Sequence, residues 1–162
     1  MQKELPTIRS ATRADSATVQ ALVLKILREY QLAPNLADTD ADLANLVHFY
    51  RHGWFAVLEW EKQIIGCVGL LPHKPESDGV WELRKMYLHR AYRGRGWGRL
   101  LLEHALQEAR SRGACRIILG TASVLVEAIA LYEQFNFQRT NSIHAAARCD
   151  QVWKLDLRQA TP

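Results

Sequence analysis

Arg93-Gly94-Arg95-Gly96-Trp97-Gly98 is a glycine-rich turn set between two segments of different periodicity. Before it, Val80-Trp81-Glu82-Leu83-Arg84-Lys85-Met86-Tyr87-Leu88 is rich in β-formers and reads as a strand. After it, Leu101, Leu102, Ala105, Leu106 and Ala109 recur at helical spacing, with Arg99, Glu103, Gln107 and Arg110 on the other side. Glu108 and Arg112 are an i,i+4 pair, and Gly113 supplies a C-terminal stop. Cys115-Arg116-Ile117-Ile118-Leu119-Gly120 then reads as a second short strand. The unit is strand, turn, helix, strand, the βαβ arrangement of parallel strands. A turn in that place serves as a plain connector or as an anion cradle, and the strand and helix around it favour the cradle. Its glycines let backbone N–H groups approach a ligand, and the helix start adds unpaired donors and the positive end of a dipole. Arg93, Arg95 and Arg99 add formal charge, so the fitting guest is a phosphate or pyrophosphate.

Two nucleotide-binding patterns do not fit. A Walker loop needs Gly-Lys-Ser/Thr, whereas Gly96 and Gly98 are followed by Trp97 and by Arg99-Leu100. A dinucleotide fingerprint opens a longer α/β domain and has an acidic ribose ligand about 20 residues on. Here the turn lies past mid-chain, and Ser111 to Arg116 offers no acid.

The motif resembles the Arg/Gln-x-x-Gly-x-Gly/Ala signature of the GCN5-related N-acetyltransferase (GNAT) superfamily. Glu82 to Leu88 is similar to that family's fourth strand. Glu127-Ala128-Ile129-Ala130-Leu131-Tyr132-Glu133-Gln134-Phe135-Asn136-Phe137 is similar to its later Ala-x-x-Leu-Tyr-x-x-x-Gly-Phe helix end. The three pieces cover residues 80 to 137 in the family's order. Asn136 stands where the family has glycine, although Asn tolerates the left-handed helix stop. Trp97 replaces an aliphatic residue, and Ala122 stands where many relatives have a cofactor-holding asparagine.

The resemblance implies a single α/β domain over residues 1–162. Its sheet is mixed and mostly antiparallel, with helices on both faces and a splayed parallel pair of fourth and fifth strands. It implies acetyl-CoA as cosubstrate and no metal. The pantetheine pairs with backbone near Met86, Tyr87 and Leu88, and the pyrophosphate rests on amides of Arg93, Gly94, Arg95, Gly96, Trp97, Gly98 and Arg99. The acetyl group passes to a primary amine of a small molecule or peptide by direct attack. Tyr132 matches the family's general acid, or else packs the last helix. Glu82 is the candidate base, directly or through water, or else a salt-bridged strand-edge carboxylate. Arg84 and Lys85 attract an acidic substrate or serve as solvated charges. A homodimer is compatible with this reading. A non-catalytic acyl-CoA-binding or sensing module is the alternative.

The bulk properties agree. A 162-residue chain fits one domain with a sizeable core. Its 21 basic and 17 acidic residues give +4, a mild preference for anions. The basic residues form no extended face with interleaved aromatics, which disfavours nucleic acid. With no membrane-length apolar run and no basic-apolar leader, the expectation is a cytoplasmic protein without a membrane partner. Cys67, Cys115 and Cys149 lack metal or redox spacing and read as reduced thiols. His48 and His52 have i,i+4 spacing but no ligand constellation joins them, and His73 and His144 lie in loops expected to flank the acceptor pocket, or else are simply solvent-exposed.

Outside the motif region, Thr7 to Ser10 reads as a strand. Asp15 or Ser16 caps a helix with Val19, Leu22, Val23, Ile26, Leu27 and Tyr30 on one stripe. Thr39 and Asp42 resemble a capping box for a second helix carrying Leu43, Leu46 and Val47. Trp54 to Glu59 and Ile64 to Leu71 form a hairpin around Glu61-Lys62-Gln63, and Gln138 to Thr140 and Gln151 to Leu157 close the sheet. The expected order is β-α-α-β-β-β-α-β-α-β-β. The acceptor pocket is expected from residues 25 to 50 and the loops 72–79 and 140–149.

Overall fold

One sheet runs through the computed structural model, which describes residues 4–74, 78–141 and 147–158. The elements are β1 Thr7–Ser10, α1 Ser16–Glu29, α2 Leu46–Phe49, β2 Trp54–Trp60, β3 Gln63–Pro72, β4 Val80–Leu88, α3 Trp97–Ser111, β5 Arg116–Thr121, α4 Val126–Gln134, β6 Gln138–Thr140 and β7 Gln151–Asp156. The expected order holds. Strands lie side by side as β1-β2-β3-β4-β5-β7-β6. Every neighbouring pair is antiparallel except β4 and β5. The β2–β3 hairpin turns at Glu61 and Lys62, both with positive φ, the geometry that follows the sheet's twist.

Alternation along β2 separates two cores. Trp54, Ala56 and Leu58 join the cluster formed with the Leu101, Leu102, Ala105 and Leu106 stripe of α3. Phe55 and Val57 point the other way and join Val19, Val23 and Leu27 of α1. Both apolar stripes read from the sequence therefore bury against opposite sheet faces, each large side chain contributing roughly 1.5–3 kcal/mol.

The second helix differs from expectation. The segment breaks into a 3-10 turn at Ala41–Ala44 and the short α2, with Asn45 accepting the His48 N–H as its cap. Asp42 caps nothing. It is fully buried and accepts a 2.6 Å hydrogen bond from the Tyr50 hydroxyl. A carboxylate recruited into the interior is no longer available to close a helix start, and Val47 is left half exposed.

What recruits it is Lys85. Cys67 of β3 opposes Tyr87 of β4, but Gly69 opposes Arg84, so Lys85 and Met86 face the single residue Val68. This is a β-bulge, and Lys85 has φ 52°. The left-handed conformation costs a non-glycine residue roughly 1–2 kcal/mol. Offsetting contacts surround it. The ammonium donates to the Thr39 carbonyl at 2.9 Å and lies 3.2 and 3.3 Å from Asp40 and Asp42. The Asp42 contact is electrostatic, since its Oδ1 lacks hydrogen-bond geometry. The Lys85 carbonyl accepts the Cys67 Sγ–H at 3.1 Å.

Asp40 ties this cluster to the far side of the site, accepting both terminal nitrogens of Arg148 at 2.6 and 2.7 Å and the Asn35 N–H at 2.8 Å. Burial alone would raise its pKa, but Arg148, Asn35 and Lys85 outweigh it and hold it at about 2. Removing the charge should strand two cations. Asp40→Asn is expected to lower unfolding stability at pH 7 by about 3 kcal/mol in urea titrations. The folded pKa lies below the unfolded value of 3.8, so this stabilisation is complete above that pH and disappears as pH falls through about 2. The gap between wild type and variant should close over that window.

Candidate active site

β4 and β5 pair only at Val80, Trp81 and Glu82, opposite Arg116, Ile117 and Ile118. Beyond Glu82 they part. The gap opens into a groove of about 490 Å³, lined by Met86, Tyr87 and Leu88 of β4, by Gly94, Gly96 and Gly98 of the turn, and by α4. Gly94 and Gly96 have φ of 75° and 82°, and a Cβ on either would meet nothing within 4 Å. The turn is thus left-handed by necessity and open in front. Gly96 is the N-cap of α3, whose first-turn N–H groups have no partner within the helix. Backbone donors, helix dipole and open space coincide where an anion would sit, so the residues present fit a pyrophosphate-bearing ligand.

The arginines of the turn do other work. Arg93 donates to the Leu88 carbonyl at 3.0 Å, to Glu29 at 2.8 and 3.2 Å and to the Tyr30 hydroxyl at 2.9 Å. Its charge is matched, and it fastens the end of α1 to the turn. Arg95 lies over the Tyr92 and Trp97 rings, and Arg99 pairs with Glu103 over Phe135. Trp97 is buried against Trp60 and Tyr92. Its side chain belongs to the core.

At the apex of the gap the groove adjoins a smaller chamber of about 120 Å³, with Glu82, Met86, Tyr87, Ala122, Tyr132 and Cys149 among its walls. Tyr132 comes from the last turn of α4 and is only 5% exposed. Asn136, with φ 66°, ends that segment and lets Phe137 pack on the Tyr132 ring at 5.5 Å. Burial pushes the Tyr132 hydroxyl well above its usual pKa, with Tyr87 and Cys149 adding to the effect. Among the described residues its hydroxyl has no hydrogen-bond partner, although its ring is packed. Tyr87 is raised to about 12 by burial, against the lowering pull of Arg148.

Glu82 borders two spaces. It lines the chamber and also a trough of about 310 Å³ on the sheet face away from α3. The parting strands thus bring Glu82 and Tyr132 to one chamber and Met86, Tyr87 and Leu88 to one groove. Arg84 and Lys85 border the chamber with their charges engaged inside the protein: Lys85 is clamped by Asp40 and Asp42, and Arg84 donates to the Thr39 carbonyl and lies over Phe49. Sequence reading missed Arg116 and Lys154 in the trough. Their signal is the alternation of β5, where Ile117 and Leu119 are buried while Arg116 and Gly120 are not. His144 lies outside the described residues, as do parts of the loops 72–79 and 140–149.

The model of the acetyltransferase (GNAT) family matches residues 20–137. The chain is 33% identical over 139 residues to an uncharacterized N-acetyltransferase, YjgM, of Escherichia coli K12, covering 82% of each. It is 35% identical over 104 residues to N-acetyltransferase family 8 member 2 of Rattus norvegicus, covering 62% of this chain and 46% of that one. A GNAT-family acetyltransferase structure from Staphylococcus aureus Mu50 superposes with TM-score 0.84 at 21% identity, covering 94% and 99%. The yncA structure from Salmonella typhimurium, with its cofactor acetyl-CoA, superposes with TM-score 0.74 at 23% identity, covering 98% of each. These two share the fold.

The cradle predicts a simple outcome. Gly96→Val adds a branched side chain at φ 82° and fills the open space with little to collide with. The protein should still fold, losing roughly 1–2 kcal/mol to backbone strain. The rise in Tm that acetyl-CoA gives the wild type should vanish in the variant, as read by thermal denaturation.

Proposed function

The chain belongs to the acetyltransferase (GNAT) family and is an N-acetyltransferase with acetyl-CoA as donor, and from that premise we propose that it acetylates a primary amine of a small molecule or peptide by direct attack, as a single domain. One observation carries the reading: a hydroxyl without a hydrogen-bond partner among the described residues and the carboxylate of Glu82 line the same small chamber, where the cofactor groove ends.

Bound acetyl-CoA supplies a thioester at that point. Backbone of Met86 to Leu88, left without β5 as a neighbour, orients the pantetheine as an added strand would. In the transfer the amine nitrogen bonds to the acetyl carbon as the carbon–sulfur bond breaks. Glu82, directly or through one water, accepts the proton the amine sheds, and the Tyr132 hydroxyl supplies one to the departing sulfur. Solvent returns a proton to the phenolate. The high pKa of Tyr132 suits a donor, because the group stays protonated at every working pH.

The two carboxyl-and-phenol roles separate in kinetics. Tyr132→Phe keeps the ring on Phe137 and removes one hydroxyl, so kcat should fall by roughly 10- to 1000-fold, overlapping the span of general acids. The Tm rise given by acetyl-CoA should persist, because the cradle is untouched. A purely structural tyrosine would instead lose stability and keep its turnover. Glu82→Gln should act most at low pH, where the amine is most protonated, and steepen the fall of kcat/KM there. Initial rates of thiol release from acetyl-CoA across pH 6 to 9, with products identified by mass, measure both (roughly one decade per unit pH where proton removal limits).

A further inference from the structure

The trough beyond Glu82 is charged in one sense. Arg116, Ile118 and Gly120 alternate with the buried Ile117 and Leu119, so they face away from α3. Ile118 is in register with Glu82 on one side and with Lys154 on the other, and Gly120 with Val152. That face therefore presents Glu82, Arg116 and Lys154 around a cavity of about 310 Å³, with His73 and Thr140 at its margin. Lys154 has no hydrogen bond or ion pair among the described residues. Arg116 reaches Asp156 only at 3.8 Å, and Asp156 is shared with Arg158 at 3.5 Å. Glu82 is the trough's own acid, and it is the group reserved for the reacting amine. The remaining positive charge is unclaimed.

We propose that this trough is the acceptor subsite and that it selects small amines bearing a carboxylate, with the amine at Glu82 and the carboxylate on Lys154 and Arg116. The proposal rests on the acetyl-transfer reading above. Spacing supports it. Strands lie roughly 4.8 Å apart, so the Glu82 and Lys154 backbones are separated by about 10 Å, and Arg116 lies two residues, roughly 7 Å, along from Ile118. Side chains reaching inward from both sides leave room for a few bonds between an amine and a carboxylate. The volume is at the low end for small-molecule sites. A polyamine would bring a second cation against Lys154 and Arg116. Glu82 and Gly120 are common to the trough and the chamber, and the trough shares no lining residue with the cofactor groove, so an amine can reach the chamber without passing along that groove.

The test compares matched acceptors at fixed acetyl-CoA: β-alanine and 4-aminobutyrate, their primary amides, 1,3-diaminopropane and O-phosphoethanolamine. The carboxylates should exceed the amides and the diamine in kcat/KM by about 10-fold or more, the size of a lost charge-assisted contact. Lys154→Gln and Arg116→Gln should each raise KM for the carboxylates by about 10-fold, leaving kcat and the acetyl-CoA-induced Tm rise in place. Lys154→Glu should turn the preference toward the diamine. Equal use of amides and carboxylates by the wild type, or a preference untouched by the Lys154 and Arg116 variants, overturns the proposal. A preference for O-phosphoethanolamine over both carboxylates overturns the carboxylate assignment. If acetyl-CoA raises Tm but no amine turns over, the acetyl-transfer reading fails by itself, and calorimetry on the CoA-bound protein decides the trough. Binding of 4-aminobutyrate that is lost in Lys154→Gln supports the subsite, and absence of binding overturns it.

Discussion

The parting of β4 from β5 is the constraint on which the rest of the molecule depends. Two parallel strands with three paired positions between them would ordinarily continue side by side. Here the bulge at Lys85 adds a residue to β4 on its other edge and bends it away. The bend would relax if Lys85 were free to leave its left-handed conformation. It is held by a carbonyl and two buried carboxylates from the segment before α2, and by Cys67 from the neighbouring strand. The cofactor groove, the chamber and the trough all meet along the resulting gap.

This division of charge explains why several basic residues that look like ligand contacts are structural. An arginine in the cradle whose guanidinium is matched by Glu29 adds little net attraction for phosphate, but it fixes the relative position of α1 and the turn. The donors left open in the turn are backbone N–H groups, whose placement is set by Gly94 and Gly96 and would require no side-chain ordering on binding an anion. In the same way Arg148 is drawn to Asp40 across the chamber, bracing the approach to β7 against the segment before α2. Rigid walls and donors placed in advance are what a transfer relying on proximity requires.

Much of this was legible in the sequence because it is periodic or local. The stripes of α1 and α3, the positive-φ stop at Asn136 and the glycine turn each announce themselves within a few residues. The cradle is legible in the residues themselves and the gap in the resemblance, and Glu82 and Tyr132 line one chamber. What failed was non-local. Nothing near Asp42 in the chain signals a lysine 43 residues away across a bulge, so a buried ion-pair partner was read as a helix cap. Arg93 looked like a free cation for the same reason, its partner Glu29 lying 64 residues earlier. Arg116 and Lys154 are ordinary strand residues until the β5–β7 register brings them to one face.

If Tyr132 is the acid and Glu82 the base, their placement on different elements has a physical reason. A single burial would push both groups the same way, toward neutrality, and would leave no acceptor for the amine's proton. Tyr132 sits at the enclosed end, where burial keeps its proton on. Glu82 sits at the mouth shared with the trough, half buried and bordered by Arg116 and Lys154. The strands enforce that separation. Glu82 is the last residue of β4 paired to β5, and Tyr132 belongs to the helix that follows β5, so the same parting that admits the cofactor also sets the two groups in unlike surroundings.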